Sequence, residues 1–248
     1  MSKKTENTAV ATLVEGVSET MPDWLQKGNA GSEDVGAKDM ILPRVDVLQA
    51  LSPQIKKSDP AFIPGAEQGQ IFNTVTGEIY GSSITFVPVM FRKEYTVWKQ
   101  RKAGGGFCGA YKTMDEANAA AAAMPNPDDY EAVESHQHFA MLLTDHGPEE
   151  AVFSMTKSKL KVSRALNTLV QIAGVDRFAK AYRLDAVESS SDKGDFWSFK
   201  AHPVGFVGQD LYNRGKDLYS MIKEGAADVD RSTDETVVGA GSTAAAEL

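Results

Sequence analysis

Residues 83–112 read SITFVPVMFRKEYTVWKQRKAGGGFCGAYK. The β-prone run 83–100 predicts a long strand, and Pro88 within it indicates an edge or bulged position because proline cannot donate to a ladder. Residues 107–111 are expected to return antiparallel to this strand across the glycine-bearing stretch 103–106. The rest of the fold prediction is built outward from this strand–loop–strand unit.

The charge of the chain is segregated. The formal net charge is −8, yet residues 91–112 carry six basic groups and one acid, and residues 157–183 are net +6. Residues 113–150 hold nine acids and no Lys or Arg, and the overall excess of acid belongs to residues 1–40 and 224–248. A partner responds to the local field within about 10 Å, so the two basic segments indicate an anionic partner more than the total charge does.

Cations and aromatic rings are interleaved in residues 91–112, which we call the ribbon. A regular pleat puts Tyr95 on one face with Lys93, Lys99 and Arg101, and Trp98 on the other with Arg92 and Lys102. One face of the ribbon must pack against the core, so some of the rings serve packing and not binding. Cations neutralise phosphates, and rings stack on bases at about 1–3 kcal/mol per base with little dependence on sequence. The ribbon therefore predicts contact with single-stranded nucleic acid through Arg92, Lys93, Tyr95, Trp98, Lys99, Arg101, Lys102, Phe107, Tyr111 and Lys112.

A helix predicted over 159–173 is amphipathic. At 100° per residue, its apolar positions and its basic positions fall on opposite faces. The simplest interpretation is a solvated basic face, and the functional one is a second phosphate-contacting surface. The functional interpretation adds Lys157, Lys159, Lys161 and Arg164 to the nucleic-acid-binding residues.

The remaining patterns predict an α+β fold. Two short β-prone pieces surround a Thr-Gly turn in residues 69–81, and further strands are expected at 136–144, 151–156, 178–186 and 195–207. Helices are expected at 114–124 and 209–223 besides 159–173. Strands grouped beside interspersed helices, without βαβ alternation, favour an antiparallel sheet with about three helices. An elaborated OB-fold is the alternative.

Both ends of the chain are expected to be disordered. Residues 1–40 lack sustained periodicity, apart from a short helix expected between positions 14 and 25, and residues 224–248 form an acidic tail low in bulky apolar groups. The predicted domains are therefore a mobile segment 1–40, a binding domain 41–223 and a tail 224–248.

The sequence gives little support to catalytic or cofactor chemistry. The stretch GGGFCGA lacks the GK[ST] ending of a phosphate-binding loop, and no helix-turn-helix or zinc finger is visible. His136 and His138 could share a strand face with His146 across a turn, but no further ligand stands at a recognised metal-site spacing. We expect no metal, no cofactor and no enzyme activity.

The chain carries no membrane or secretory signal that we recognise. No apolar run reaches the roughly eighteen residues of a membrane span, and the first residues lack a cleavage pattern. Cys108 is the single cysteine, which fits a reducing cytoplasm. We expect a cytoplasmic protein without a membrane partner, and we expect it to be a homo-oligomer.

Two segments resemble a known group of proteins. ILPRVDVLQALSPQI at 41–55, followed by GEIYGSSITFVPVMFRKEYTVWKQRKAGGG at 77–106, resembles phage-encoded single-stranded-DNA-binding proteins. The chain looks most like the single-stranded-DNA-binding RNA polymerase cofactor of short-tailed lytic phages that carry a virion RNA polymerase. The resemblance implies capture of unwound phage DNA, recruitment of the phage RNA polymerase, a role in transcription or replication in the infected bacterial host, and a fold that need not be an OB barrel.

A structural or scaffolding protein of a phage, without DNA-binding activity, is the alternative function. It would also carry a basic patch, but its affinity for single-stranded DNA would not depend on the length of the strand.

Overall fold

The computed structural model describes residues 30–31, 41–191, 194–224 and 228–229. The chain divides into a unit Met1–Val35 and a unit Gly36–Leu248, and the fold below is that of the second. Within the described residues the strands are β1 (Ile41–Leu42), β2 (Val45–Val47), β3 (Ile71–Asn73), β4 (Ile79–Gly81), β5 (Ser83–Lys99), β6 (Phe107–Tyr111), β7 (Tyr130–Thr144), β8 (Gly147–Thr156), β9 (Lys180–Ser191), β10 (Gly194–Phe206) and β11 (Asp228–Val229). The α-helices are α1 (Met114–Ala122), α2 (Leu160–Ala173) and α3 (Gln209–Lys223).

The main sheet is built around β5. One side of this strand pairs with β7 from Phe86 to Lys99, while the other side is shared between β9, which pairs up to Phe86, and β6, which pairs from Tyr95 to Trp98. The strand order is β10-β9-β5-β7-β8, with β6 beside β5, and these pairs are antiparallel. The second half of β5 therefore extends as a hairpin with β6, as the sequence predicted.

A bulge interrupts β5 at its proline. The register with β7 shifts between Pro88 and Met90, so the predicted bulge is confirmed. Because the bulge adds one residue, the pleat reverses, and Phe91 comes to lie on the same face of the sheet as Phe86. The bulge thus decides which ribbon side chains share the face of the main core.

The segment 43–49 contacts both outer strands of the main sheet. Arg44 forms a parallel bridge with Val152 of β8, and the side-chain amide of Gln49 pairs with the backbone of Trp197 in β10. In that pair Gln49 Nε2 donates to the Trp197 carbonyl at 2.8 Å and Gln49 Oε1 accepts from the Trp197 N–H at 2.8 Å. The segment thereby satisfies backbone groups that an edge strand leaves unpaired.

The two faces of the sheet bury different cores. Ala140 and Leu142 of β7 belong to a cluster that includes Leu166 of α2. Phe139 and Met141, their neighbours in the strand, belong to a cluster with residues of α3. Because successive strand residues point to opposite faces, α2 and α3 cover opposite faces of the sheet.

The α+β prediction is confirmed, with antiparallel strands and three helices. The helix predicted at 209–223 has the observed bounds, and the other two are shorter than expected by one or two residues. In the described part of the chain the main sheet has six strands and does not form the five-stranded barrel of an OB-fold. None of the described helices is long and apolar enough to cross a membrane.

The predicted terminal segments lie largely outside the described residues. This applies to residues 1–40 except 30–31, including the expected helix between positions 14 and 25, and to the tail except Glu224 and 228–229. Asp228 and Val229, which the sequence assigns to the tail, pair as β11 in parallel with β1.

Replacing Gln49 with Ala should destabilise the fold. The substitution leaves the N–H and the carbonyl of Trp197 without their partner, and we expect a loss of about 1–3 kcal/mol in the free energy of unfolding. Urea unfolding checks this, with the exposed Gln68→Ala as the matched control. Equal stability of the two variants would show that the Gln49 amide contributes nothing to holding the β10 edge.

Candidate nucleic-acid interface

The ribbon is a hairpin with side chains on two faces. Between Met90 and Lys99 the register of β5 with β7 is unbroken, so alternate residues share a face. Lys93, Tyr95 and Lys99 therefore lie on one face, and Arg92 and Trp98 on the other, as predicted.

The tip of the ribbon departs from the predicted pleat. β5 ends at Lys99, and residues 101–103 form a 3₁₀ turn, so the expected strand facing of Arg101 and Lys102 is wrong. Gly104, Gly105 and Gly106 follow with φ values of 108°, 71° and 129°, a backbone region that favours glycine. The chain returns to β6 when the Lys99 N–H donates to the Gly106 carbonyl at 2.8 Å. Lys102 is exposed at this tip.

Each ring of the ribbon is half-buried. Tyr95 and Tyr111 stand opposite each other and pack on the small cluster that Val97 forms with α1. On the other face the Trp98 and Phe107 rings lie 5.1 Å apart, and the Trp98 indole donates to the Thr96 hydroxyl at 2.9 Å. The rings therefore serve the local core and still expose part of their surface.

The cations of the ribbon differ in their exposure and in their contacts with rings and carboxylates. Lys93 is half exposed, its ammonium 5.3 Å from the centre of the Tyr95 ring and 3.5 Å from Glu134 Oε1. Arg92 lies over the ring of the buried Phe139 at 5.0 Å. Lys99 is half-buried and Lys112 is exposed.

The cations in and beside α2 also differ in exposure and in contacts. Lys159 is mostly buried, paired with Asp46 and 5.2 Å from the centre of the Phe199 ring, so it holds α2 to the core. Lys157 is exposed and bonded to Glu131 at 2.8 Å. Lys161 and Arg164 are exposed, and no ion pair engages either of them among the described residues.

A chain of hydrogen bonds, which we call the anchor network, links the ribbon to α2. Glu134 Oε1 is 2.8 Å from His136 Nε2, and His136 Nδ1 is 2.6 Å from Ser163 Oγ. Ser163 Oγ is also 2.7 Å from His138 Nε2. Arg177 Nη2 then lies 2.9 Å from His138 Nδ1 and 2.9 Å from Asn167 Oδ1.

The donors and acceptors of the anchor network run in one direction. Arg177 can only donate, so His138 Nδ1 accepts and His138 Nε2–H donates to Ser163. Ser163 is fully buried and its hydroxyl hydrogen has no other acceptor among the described residues, so it donates to His136 Nδ1, and His136 Nε2–H donates to Glu134. In this arrangement both imidazoles are neutral and each bond has one donor.

The anchor network brings two of the predicted basic segments to one face of the sheet. Lys93 contacts Glu134, and the network continues through His136 to Ser163 on α2. Arg164 follows Ser163 in the helix and is exposed. The ribbon and α2 therefore share one surface, whereas Arg92, Trp98 and Phe107 lie on the other face.

Burial and charge shift the pKa values of the network. Burial, then the charge of Arg177, holds the pKa of His138 well below 6.5, and a proton on His136 would lower it further. Burial lowers the pKa of Arg177 to about 10, which still leaves it cationic at neutral pH. Burial alone would raise the pKa of Glu134, but the hydrogen bond from His136 and the charge of Lys93 hold it below 4.5.

Ser163, Glu134 and Arg177 were not singled out from the sequence. The available signal was the alternation of Glu134, His136 and His138 at spacing two, which puts all three on one strand face. Carboxylate, imidazole and hydroxyl stand in the order of a hydrolytic triad, but Ser163 is fully buried, so here they hold the helix.

The two histidines share a face, as the sequence indicated, but their ring nitrogens contact Glu134, Ser163 and Arg177. His146 is exposed in the turn between β7 and β8. Among the described residues no group of three or more His, Cys, Asp or Glu side chains could hold a metal ion.

Comparison with known proteins gives one family. The model of the family described as Pam3 phage gp34-like protein matches residues 10–228. No curated protein and no solved structure matches the chain.

His138 should make the fold acid-sensitive. Its folded pKa is depressed, so below about pH 6.5 the unfolded chain binds a proton that the folded chain does not, and stability falls as the pH falls toward the folded value. We expect a loss of up to about 1.4 kcal/mol per pH unit in the free energy of unfolding. Urea unfolding at several pH values measures it.

His138→Gln should lose this part of the pH dependence, while the exposed His146→Gln should keep it. An unchanged slope in His138→Gln would contradict a neutral, buried His138.

Proposed function

The chain belongs to the Pam3 phage gp34-like family and is a phage protein, and we propose that it binds single-stranded DNA without sequence preference. The observation that carries the proposal is the shared face of the ribbon and α2, joined through Lys93, Glu134, His136 and Ser163. Binding that does not depend on the DNA sequence needs cations along the backbone of the strand and aromatic rings that can stack on its bases. This face offers both.

The proposed contacts are the exposed cations of the ribbon and of α2, the half-buried Lys99, and the ring nearest to Lys93. They are Lys93, Tyr95, Lys99, Lys102, Lys112, Lys161 and Arg164. Lys157 is bonded to Glu131, which stands opposite Trp98 and so lies on the other face of the sheet. Lys159 is left out because its ammonium is paired with Asp46. Trp98 and Phe107 would meet bases only if the strand passes over the edge of the ribbon.

A duplex suits this surface less well. The cations of the proposed surface sit on a hairpin tip, on a strand and on the flank of a helix that packs on the sheet, whereas major-groove readout uses a helix that enters the groove. The proposal therefore predicts tighter binding to a thymidine oligonucleotide than to a duplex of equal length at the same salt concentration. Equal affinities would count against it, and no affinity for either would favour the phage structural or scaffolding alternative.

Neutralising Lys99, Lys102 and Lys112 together to Gln should weaken binding and flatten its salt dependence. If all three contact phosphates, the slope of log K against log salt should fall by about 2, at roughly 0.7 per contact. Fluorescence anisotropy with a labelled thymidine oligonucleotide measures both quantities.

The matched control is the triple Gln variant of Lys57, Lys200 and Lys216, which are exposed cations on other elements. Equal slopes in the two triple variants would place the DNA away from the ribbon.

We further propose that the DNA-bound protein supports phage transcription, by recruiting the phage RNA polymerase, or replication. Only the sequence resemblance supports this step. Co-purification of the phage polymerase on immobilised single-stranded DNA, with and without this protein, tests it. Self-association is part of the same proposal, and sedimentation at several concentrations tests it.

A further inference from the structure

We propose that a DNA phosphate bound at Lys93 drives the uptake of a proton by the Glu134–His136 pair, which makes single-stranded DNA binding pH-dependent. Glu134 is then a positioning residue that sets the charge of the surface. The inference rests on the proposed function and specifies its regulation.

Glu134 is a carboxylate on the face that carries the proposed basic surface. A single oxygen, Oε1, receives both His136 Nε2 at 2.8 Å and Lys93 Nζ at 3.5 Å. The exposed fraction of the side chain falls along this row, from 46% for Lys93 to 24% for Glu134 and 6% for His136. Solvent and ligands therefore reach Lys93 first and the imidazole last.

The direction of the anchor network fixes the charges of this row in the free protein. Because Ser163 donates to His136 Nδ1, the imidazole is neutral and Glu134 keeps its negative charge. Lys93 compensates that charge. This compensation of the Glu134 charge weakens when Lys93 also pairs with another anion.

A phosphate at Lys93 disturbs this balance. A charge-assisted N–H···O bond is about 2.8 Å long, so a phosphate oxygen on Lys93 lies within roughly 6 Å of the Glu134 carboxylate. Like charges at that distance disfavour the ionised form, which here means that the Glu134–His136 pair binds a proton more readily. The two groups share a hydrogen bond, so the proton belongs to the pair rather than to either residue.

β5, β8 and α2 place side chains against this row in the described part of the chain. β5 contributes the Phe91 ring and Lys93, whose ammonium is already protonated at neutral pH. β8 places Met155 opposite His136, and α2 contributes the Ser163 hydroxyl.

Beyond Ser163, His138 receives a hydrogen bond from the cationic Arg177, which opposes a further proton there. The extra proton is therefore assigned to Glu134–His136.

The sign of the effect follows from the proton count. The bound state holds more protons than the free state, so affinity rises as the pH falls, by up to tenfold per pH unit for one proton. The experiment measures the dissociation constant of a labelled thymidine oligonucleotide between about pH 8 and pH 6 at constant salt. The wild-type protein should bind more tightly at the lower pH.

Glu134→Gln is the test variant, because Gln can still accept from His136 but carries no charge. It should bind more tightly than wild type at the higher pH and show a smaller pH dependence. Glu188→Gln makes the same charge change at an exposed position of β9 and should keep the wild-type dependence. Lys93→Gln should bind more weakly yet also lose the pH dependence, so a fold defect in one variant cannot explain both results.

Identical pH dependence in wild type, Glu134→Gln and Lys93→Gln would overturn the coupling while leaving single-stranded DNA binding intact. No binding of the oligonucleotide by the wild-type protein at any pH, even at low salt, would instead overturn the proposed function and the coupling with it.

Discussion

The hydroxyl of Ser163, hydrogen-bonded to two imidazoles, fixes helix α2 on the sheet. Ser163 is fully buried, and so is His138, while His136 is nearly so. A buried hydroxyl without partners would cost about 1–3 kcal/mol, so α2 is stable only where Ser163 meets both rings. The position of Arg164, and with it the shape of the proposed surface, depends on this contact.

The protein uses its cations in two ways. Lys159 and Arg177 are buried and support the fold, one against Asp46 and Phe199 and the other against His138 and Phe91. Lys102 and Lys161 are exposed and contact no carboxylate among the described residues. Residues 157–183 contain both kinds, so local charge identifies a basic segment but does not show which of its cations are available to a ligand.

Sequence patterns predicted most of the secondary structure and the facing of the ribbon up to Lys99. They predicted it because β5 is long, its bulge is marked by Pro88, and its return is marked by three glycines whose φ values are all positive. They did not predict that β7 begins at Tyr130 and lies between β5 and β8, since the pairing partner of a strand is set by contacts distant in sequence.

The anchor network could not be predicted from the sequence for the same reason. Ser163 and Arg177 are ordinary polar residues in sequence, and only the fold brings them to the histidines of β7. Lys159 is the opposite case, because the sequence predicted a surface role for it and the structure gives it a contact in the core. It stands in a basic segment of the sequence, but the ion pair with Asp46 from β2 makes it a core contact.

Hydrogen–deuterium exchange with and without a thymidine oligonucleotide tests the central claim, that the ribbon and α2 form one surface for single-stranded DNA. The account predicts slower exchange on binding in residues 99–112 and in residues 157–164 together, with no change in residues 56–66, which belong to the connection between β2 and β3. Protection confined to one of the two basic segments, or absent from both, would contradict it.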